Sequence, residues 1–200
     1  MTLIIAHRGY HKNTPENTIS AFKKALNLKV DGIEFDVRLT QDNVPIILHN
    51  KHLDKNENFD LVENKKYACI QKIKIKNEDI PTLGKTISFL KGKTKLFIEL
   101  KCIPVKYVHL ITDLIKQNKI IEEVVILSFY PKLLNEVKRI NKKIKTCDLT
   151  FYLFKVTENY EYMGVYYKTL TKSMIDKLHK KRKKFYVFQL MQKKKFQTIK

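Results

Sequence analysis

The chain has 200 residues, 44% of them hydrophobic, which suits one domain, and no run approaches the roughly 20 apolar residues of a membrane-spanning helix. Only four of its 40 basic residues are Arg, so the net charge of +20 predicts attraction of anions but no specific nucleic-acid partner. Three cysteines without zinc-ligand spacing, and the lack of a signal-peptide pattern, predict a soluble cytoplasmic protein with free thiols.

Short β-rich runs alternate with amphipathic helical patterns along the chain, which predicts an α/β fold with a parallel sheet. The predicted strands are Leu3–His7, Gly32–Val37, Lys95–Leu100, Val124–Phe129, Ile144–Phe151, Gly164–Tyr167 and Lys184–Met191. Helical periodicity is clearest around Ile19–Leu26 and Val108–Ile115, after Pro131, and after Thr171. We therefore expect seven strands of parallel type in one domain covering residues 1–200.

Two segments depart from this alternation. Val37–His49 holds two apolar runs joined by Gln41-Asp42-Asn43, which predicts a hairpin that carries His49 back toward Asp36. Residues 51–81 are polar and rich in Asn and Lys, and they predict a small cap or loop insertion.

Polar side chains gather where the first four predicted strands end. These residues are His7 and Arg8, Glu34 and Asp36, Glu99 and Lys101, and Ser128. Residues two apart on a strand point to the same face, so Glu34 and Asp36 share one face of the sheet, as do Glu99 and Lys101. Because parallel strands end at one edge, and the hairpin brings His49 to it, we expect a single site there.

The residue types at this edge indicate a chemistry. The three carboxylates suit one hard divalent cation, Mg²⁺ or Ca²⁺, without which they would repel one another. The two histidines suit an acid/base pair near neutral pH, and Arg8 and Lys101 suit the oxygens of a bound phosphate. Together these groups describe metal-assisted phosphoryl transfer on a phosphodiester.

The same pieces, in this order, resemble the glycerophosphodiester phosphodiesterase family. The matching motifs are His7-Arg8-Gly9, Pro15-Glu16-Asn17-Thr18, Asp31-Gly32-Ile33-Glu34-Phe35-Asp36-Val37, Pro45-Ile46-Ile47-Leu48-His49, Ile80-Pro81-Thr82-Leu83, Ile98-Glu99-Leu100-Lys101 and Ser128-Phe129. The resemblance implies a TIM-type (β/α) barrel. It also implies hydrolysis of a small-molecule glycerophosphodiester to an alcohol and sn-glycerol 3-phosphate.

The resemblance assigns roles residue by residue. It makes His7 and His49 the catalytic acid/base pair, without saying which is which, and Arg8 and Lys101 the phosphate contacts. Glu34, Asp36 and Glu99 become the ligands of the cation. Direct attack by water and a cyclic phosphate intermediate are both compatible with this set. Cleavage of phosphoinositides or sphingomyelin on a similar barrel is disfavoured by the intact Ile98-Glu99-Leu100-Lys101 motif.

The later part of the chain departs from the family pattern. Phe188 stands where the family has a tryptophan, and with Ser128 it is a candidate for the substrate pocket. A closed barrel needs eight strands, so we expect one that lacks its final strand and helix, with a homo-oligomer as one way to cover the open edge. The alternative function is a truncated, non-catalytic remnant, or a polyanion-binding protein that uses the Lys-rich residues 172–200.

Overall fold

The computed structural model describes residues 3–53, 61–151, 160–169, 171–180 and 184–188. The strands are β1 (Ile5–His7), β2 (Gly32–Leu39), β3 (Pro45–Ile47), β4 (Lys74–Ile75), β5 (Glu78–Asp79), β6 (Lys95–Leu100), β7 (Val124–Ser128), β8 (Lys145–Thr150), β9 (Tyr162–Tyr166) and β10 (Lys184–Phe188). The helices are α1 (Ile19–Asn27), α2 (Tyr67–Ile70), α3 (Leu83–Leu90), α4 (Val108–Gln117), α5 (Pro131–Ile140) and α6 (Lys172–Lys180). None of the described helices is long and apolar enough to cross a membrane.

One parallel sheet organises the molecule, with strand order β1-β2-β6-β7-β8-β9-β10. The seven predicted strands of parallel type are therefore confirmed, although several begin or end a few residues from the predicted positions. β3 pairs antiparallel with β2, which confirms the predicted hairpin. Its return places Leu48 N 3.0 Å from the carbonyl oxygen of Asp36, next to the predicted site.

The sheet curls into an incomplete barrel, in which the described residues of β1 and β10 are not paired with each other, and its two faces bury different side chains. Alternate residues of β6, β7 and β8 point inward and form an interior cluster that includes Phe97, Leu127 and Leu149. The ring of Phe97 on β6 stacks on Tyr186 of β10 with centroids 6.0 Å apart, so the interior is narrow enough for distant strands to touch. This curled parallel sheet confirms the predicted TIM-type architecture.

The outer face packs against the helices and holds the larger core. Leu96 and Ile98 of β6 are fully buried there with residues of α3 and α4. Each such side chain contributes about 1.5–3 kcal/mol of burial free energy. Because inner and outer residues alternate, the register of every strand is fixed by which side chains face the helices.

Local signals explain where the helices begin. The hydroxyl of Thr18 accepts a hydrogen bond from Ala21 N at 3.2 Å and caps α1, and Thr82 caps α3 through Lys85 N at 3.1 Å. Pro131 occupies the first turn of α5, as predicted. The helix α3 was not predicted, although Thr82 followed by Leu83, Ile87 and Leu90 is a clear helical pattern.

The chain between β3 and α3 forms a small excursion over one side of the sheet. Its described residues include α2 and the β4–β5 hairpin, with the tight turn at Lys76-Asn77. Val62, Ile70 and Ile80 pack on Ile46 and Leu48 in a separate apolar cluster. This excursion is therefore anchored to the hairpin that carries His49.

Candidate active site

The three predicted carboxylates converge where β2 and β6 end. Asp36 and Glu99 lie opposite each other on the paired strands β2 and β6. Glu34 is two residues before Asp36 on β2, so its side chain points to the same, inner face. One oxygen from each carboxylate lies within 4.8 Å of the others, and all three residues are buried. The alternation of β2 and β6 thus turns three separated residues into one acidic cluster.

Two cations are drawn into this cluster. Lys101 Nζ lies 2.8 Å from Asp36 Oδ1 and 2.6 Å from Glu99 Oε1, so one ammonium bridges two carboxylates. Arg8 Nε lies 3.1 Å from Asp36 Oδ2. Both residues predicted to contact phosphate are therefore at the site, and both side chains are mostly shielded from solvent.

The two predicted histidines come to the site from β1 and from the end of the β2–β3 hairpin. His7 is the last residue of β1, and its Nε2 lies 3.8 Å from Glu34 Oε2. His49 follows β3, and its Nδ1 lies 3.0 Å from Asn50 Oδ1, which can accept a hydrogen bond from it. Arg38 Nε donates to the carbonyl oxygen of His49 at 2.9 Å, which fixes the end of the hairpin against β2.

The carboxylates cannot all carry a charge easily in this setting. Burial raises the pKa of Glu34 well above its usual value, and the charge of Asp36 raises it further. Burial and the Asp36 charge also raise the pKa of Glu99 to about 7. Burial would raise the pKa of Asp36 too, but Lys101 and Arg8 outweigh it and lower that pKa.

The basic groups respond in the opposite sense. Burial, together with the charge of Arg8, lowers the pKa of His7 to about 4, and burial also lowers the pKa of His49. Burial works against the charge of Lys101, but the carboxylates of Asp36 and Glu99 raise its pKa overall. At both rings burial therefore favours the neutral form, the state in which a ring can accept a proton.

The residues present fit a divalent cation. Three buried carboxylates within ligand spacing are the oxygen donors that Mg²⁺ and Ca²⁺ prefer. Glu34 Oε1 is buried and has no hydrogen-bond partner among the described residues, although a buried carboxylate oxygen normally has one. Ca²⁺ or Mg²⁺ bound by this oxygen would satisfy it.

A loop between β1 and α1 holds the cluster in position. Asn17 donates from Nδ2 to Asp36 Oδ2 at 2.8 Å and accepts from Asp36 N at 3.3 Å, and its own N–H donates to the carbonyl of Arg8 at 3.0 Å. Arg8 also pairs with Glu16 at 2.9 Å. Arg8 and Asn17 have left-handed φ values of 55° and 59°, conformations that non-glycine residues rarely adopt without such contacts.

The later strands contribute an apolar wall. Leu127, Phe129, Leu149 and Tyr186 line a narrow cleft together with His7, Glu34 and Glu99. None of these four wall residues was predicted. The signal was present in β7, where the period of two places Leu127 and Phe129 on the inner face with Val125.

The two predicted pocket residues have different outcomes. Ser128 lies on the outer face of β7, fully buried, where its hydroxyl donates to Leu100 O at 2.8 Å and accepts from Tyr130 N at 3.1 Å. The structure therefore does not bring it into the cleft. Phe188 is the last residue of β10, but its side chain lies outside the described part of the chain.

Comparisons with known proteins identify the family of the chain. The sequence profile of the glycerophosphoryl diester phosphodiesterase family matches residues 7–193, which confirms the resemblance found in the sequence. A glycerophosphodiester phosphodiesterase of Caldanaerobacter subterraneus is 40% identical over an alignment of 157 residues that covers 72% of this chain and 65% of that protein. An uncharacterised protein of Mycoplasma genitalium is 32% identical over 158 residues, again 72% and 65%. The chain thus matches slightly less than two thirds of the length of these relatives.

Solved structures share the fold at lower identity. A phosphodiesterase of Oleispira antarctica, solved in complex with the product sn-glycerol-3-phosphate, superposes with a TM-score of 0.88 at 19% identity, covering 96% of this chain and 86% of that one. A glycerophosphodiester phosphodiesterase of Parabacteroides distasonis gives a TM-score of 0.83 at 23% identity, covering 95% and 84%. At these identities the likeness establishes the fold.

Proposed function

The chain belongs to the glycerophosphoryl diester phosphodiesterase family, and we propose that it hydrolyses glycerophosphodiesters to an alcohol and sn-glycerol 3-phosphate. One observation carries the proposal. Three buried carboxylates, two cations and two imidazoles meet at a single edge of the barrel. The complex of the Oleispira antarctica protein with sn-glycerol-3-phosphate supports the choice of product.

The binding roles follow from charge. Glu34, Asp36 and Glu99 would hold one divalent cation, Mg²⁺ or Ca²⁺, which when bound supplies Lewis-acid polarisation of the phosphate. Arg8 and Lys101 now pair with the carboxylates. Once a cation neutralises those carboxylates, the two side chains would be able to donate to the phosphate oxygens of a substrate. Donors fixed in a shielded site stabilise the charge that develops on those oxygens.

The histidines move the protons. One of His7 and His49 starts as the neutral ring and removes a proton from the attacking oxygen, which leaves it as an imidazolium. The other must start as the imidazolium, a form that the negative charge of a bound phosphate favours, and it donates its proton to the departing alkoxide. For attack by water, the P–O bond to the head group breaks, a new P–O bond forms, and the products are the alcohol and glycerol 3-phosphate. Attack by a glycerol hydroxyl would require the same two proton transfers at each of two steps.

The test uses the full chain with glycerophosphocholine, Mg²⁺ or Ca²⁺, and enzymatic detection of glycerol 3-phosphate. We expect His7→Ala and His49→Ala each to lower kcat by about 10²–10⁴-fold, the usual effect of removing a general acid or base. His109→Ala, an exposed histidine on α4, should leave kcat unchanged. Salt-sensitive retention of DNA or RNA without turnover would instead favour the polyanion-binding alternative, whose residues 181–183 and 189–200 lie outside the described part of the chain.

A further inference from the structure

A second cleft lies beside the reaction site, and the proposed mechanism gives it no role. It has a volume of about 360 Å³ and is lined on one side by His11–Pro15 and on the other by Lys76 and Glu78. The first wall belongs to the β1–α1 loop, and the second to the β4–β5 hairpin. Two separate parts of the chain therefore form it.

The first wall is tied to the reaction site at both ends. It begins three residues after Arg8 and ends next to Glu16, which pairs with Arg8 at 2.9 Å. Asn17 N donates to Arg8 O at 3.0 Å and closes the loop. His11 is also near enough for its charge to lower the pKa of His7. The first wall is thus part of the same short loop that positions Arg8.

The second wall is held in place as well. Glu78 accepts a hydrogen bond from Ser20 Oγ on α1, which attaches the hairpin to the helix that follows the first wall. The turn residues Lys76 and Asn77 have φ values of 49° and 68°, as expected for a tight two-residue hairpin turn. Lys76 is therefore presented at the cleft by a short, anchored element.

The lining has a definite chemical preference. Lys12 and Lys76 contribute two exposed ammonium groups, against the one carboxylate of Glu78. Lys24 adds a further cation behind the first wall, where it donates to Thr14 Oγ1. No Phe, Tyr or Trp is among the described residues that line the cleft, although aromatic faces are the usual partners of quaternary ammonium groups.

We propose that this cleft binds the departing head group and selects an anionic head group over a quaternary ammonium. The inference rests on the proposed hydrolysis, because it assigns the cleft to the alcohol side of the same substrate. Attraction by Lys12 and Lys76 favours a negative group, and a cationic head group meets repulsion that no aromatic face among the described lining residues offsets.

The experiment compares three compounds that share the glycerophosphate end. Glycerophosphocholine has a cationic head group, glycerophosphoglycerol a neutral one, and bis(glycerophospho)glycerol one with a second phosphate. We expect kcat/KM to rise in that order. In Lys12→Glu/Lys76→Glu the ratio between the anionic and cationic compounds should fall about tenfold, mainly through KM. Lys91→Glu, an exposed lysine at the opposite end of the barrel between α3 and β6, is the matched control.

A binding measurement separates this inference from the proposed function. Dissociation constants of the three compounds for the His7→Ala chain should follow the same order, and the order should flatten in the triple variant that also carries both Glu substitutions. Equal constants, or an equal change caused by Lys91→Glu, would overturn the head-group assignment. Loss of all turnover with the binding order intact would contradict the hydrolysis alone.

Discussion

The rim of the barrel has two halves with opposite chemistry. The charged half lies at the ends of β1, β2 and β6, which supply six of the seven predicted catalytic, phosphate and metal residues. The β2–β3 hairpin brings the seventh, His49, back to this half. The apolar half lies at the ends of β7, β8 and β10 and presents Leu127, Phe129, Leu149 and Tyr186. Both halves line the same narrow cleft.

The difference teaches how the fold prepares the chemistry. The apolar half excludes water from the carboxylates and so raises the cost of leaving them unpaired. Burial is the largest cause of the raised pKa values of Glu34 and Glu99, and the apolar half supplies part of the surface that buries them. The charged half therefore gains affinity for a cation from residues that carry no charge themselves. Substitutions in the two halves should separate these contributions.

The largest expected effect comes from the acidic cluster. Glu99→Gln removes one of three ligand charges, and we expect kcat/KM to fall by about 10²–10³-fold or more, the scale of losing one electrostatic contact to the transition state. Chelation with EDTA should abolish turnover of the unaltered chain, and added Mg²⁺ or Ca²⁺ should restore it. Glu122→Gln, whose side chain is 78% exposed, is the control. Full activity in EDTA would show that the cluster does not act through a metal.

Next in size is the loop contact to Asp36. Asn17→Gly suits the φ of 59° and so isolates the loss of the side chain and its two hydrogen bonds. We expect kcat to fall about tenfold and the free energy of unfolding to fall by about 1–3 kcal/mol, the cost of an unsatisfied buried group. Urea denaturation and the turnover assay measure the two effects. Asn27→Gly at the exposed end of α1 should lower stability slightly and leave kcat unchanged.

The sequence predicted the charged half well because that half obeys local rules. Glu34 and Asp36, like Glu99 and Lys101, are two residues apart on strands, and this spacing alone places each pair on one face. The turn at Gln41-Asp42-Asn43 predicted the hairpin that returns His49. Asn17 was missed as a positioning residue because its role depends on a left-handed backbone and on a partner 19 residues away.

The apolar half was missed for a different physical reason. Leu127 and Phe129 look like any residues of a buried strand, and nothing in their type distinguishes a wall of the cleft from the core. Ser128 was chosen for its polarity, but the alternation of β7 places it with Val124 and Ile126 against the helices. The period of the strand was a better guide than the polarity of the residue.

A smaller effect should follow from opening the apolar wall. Phe129 stacks on Phe151 with centroids 4.9 Å apart and faces the carboxylates across the cleft. Phe129→Ala should lower kcat/KM about two- to tenfold, since an aromatic contact is worth roughly 0.5–1.5 kcal/mol and water gains access to the site. Phe89→Ala on α3 removes the same side chain from the outer layer and should affect stability alone. Equal losses of activity in Phe129→Ala and Phe89→Ala would show that the apolar wall has no special role in turnover.

The smallest effect on activity is expected from Glu161, a charged residue at the end of the barrel opposite the apolar half of the rim. Glu161, just before β9, accepts hydrogen bonds from Thr146 N at 2.9 Å and from Lys138 Nζ. Burial alone would raise the pKa of Glu161, but these two donors lower it below the usual 4.5. Its ionised form therefore stabilises the folded state above pH 4.5, and this contribution is lost as the pH falls further.

Glu161→Gln tests this contribution and the division of the rim together. The side chain is 42% exposed, so we expect the variant to lose less than about 1 kcal/mol of stability at pH 7. In urea denaturation the difference from the unaltered chain should shrink between pH 5 and pH 3, while kcat at pH 7 stays the same. A loss of kcat comparable to that of Glu99→Gln would contradict this division. It would mean that the apolar half influences the carboxylates through the charge of Glu161 as well as by burying them.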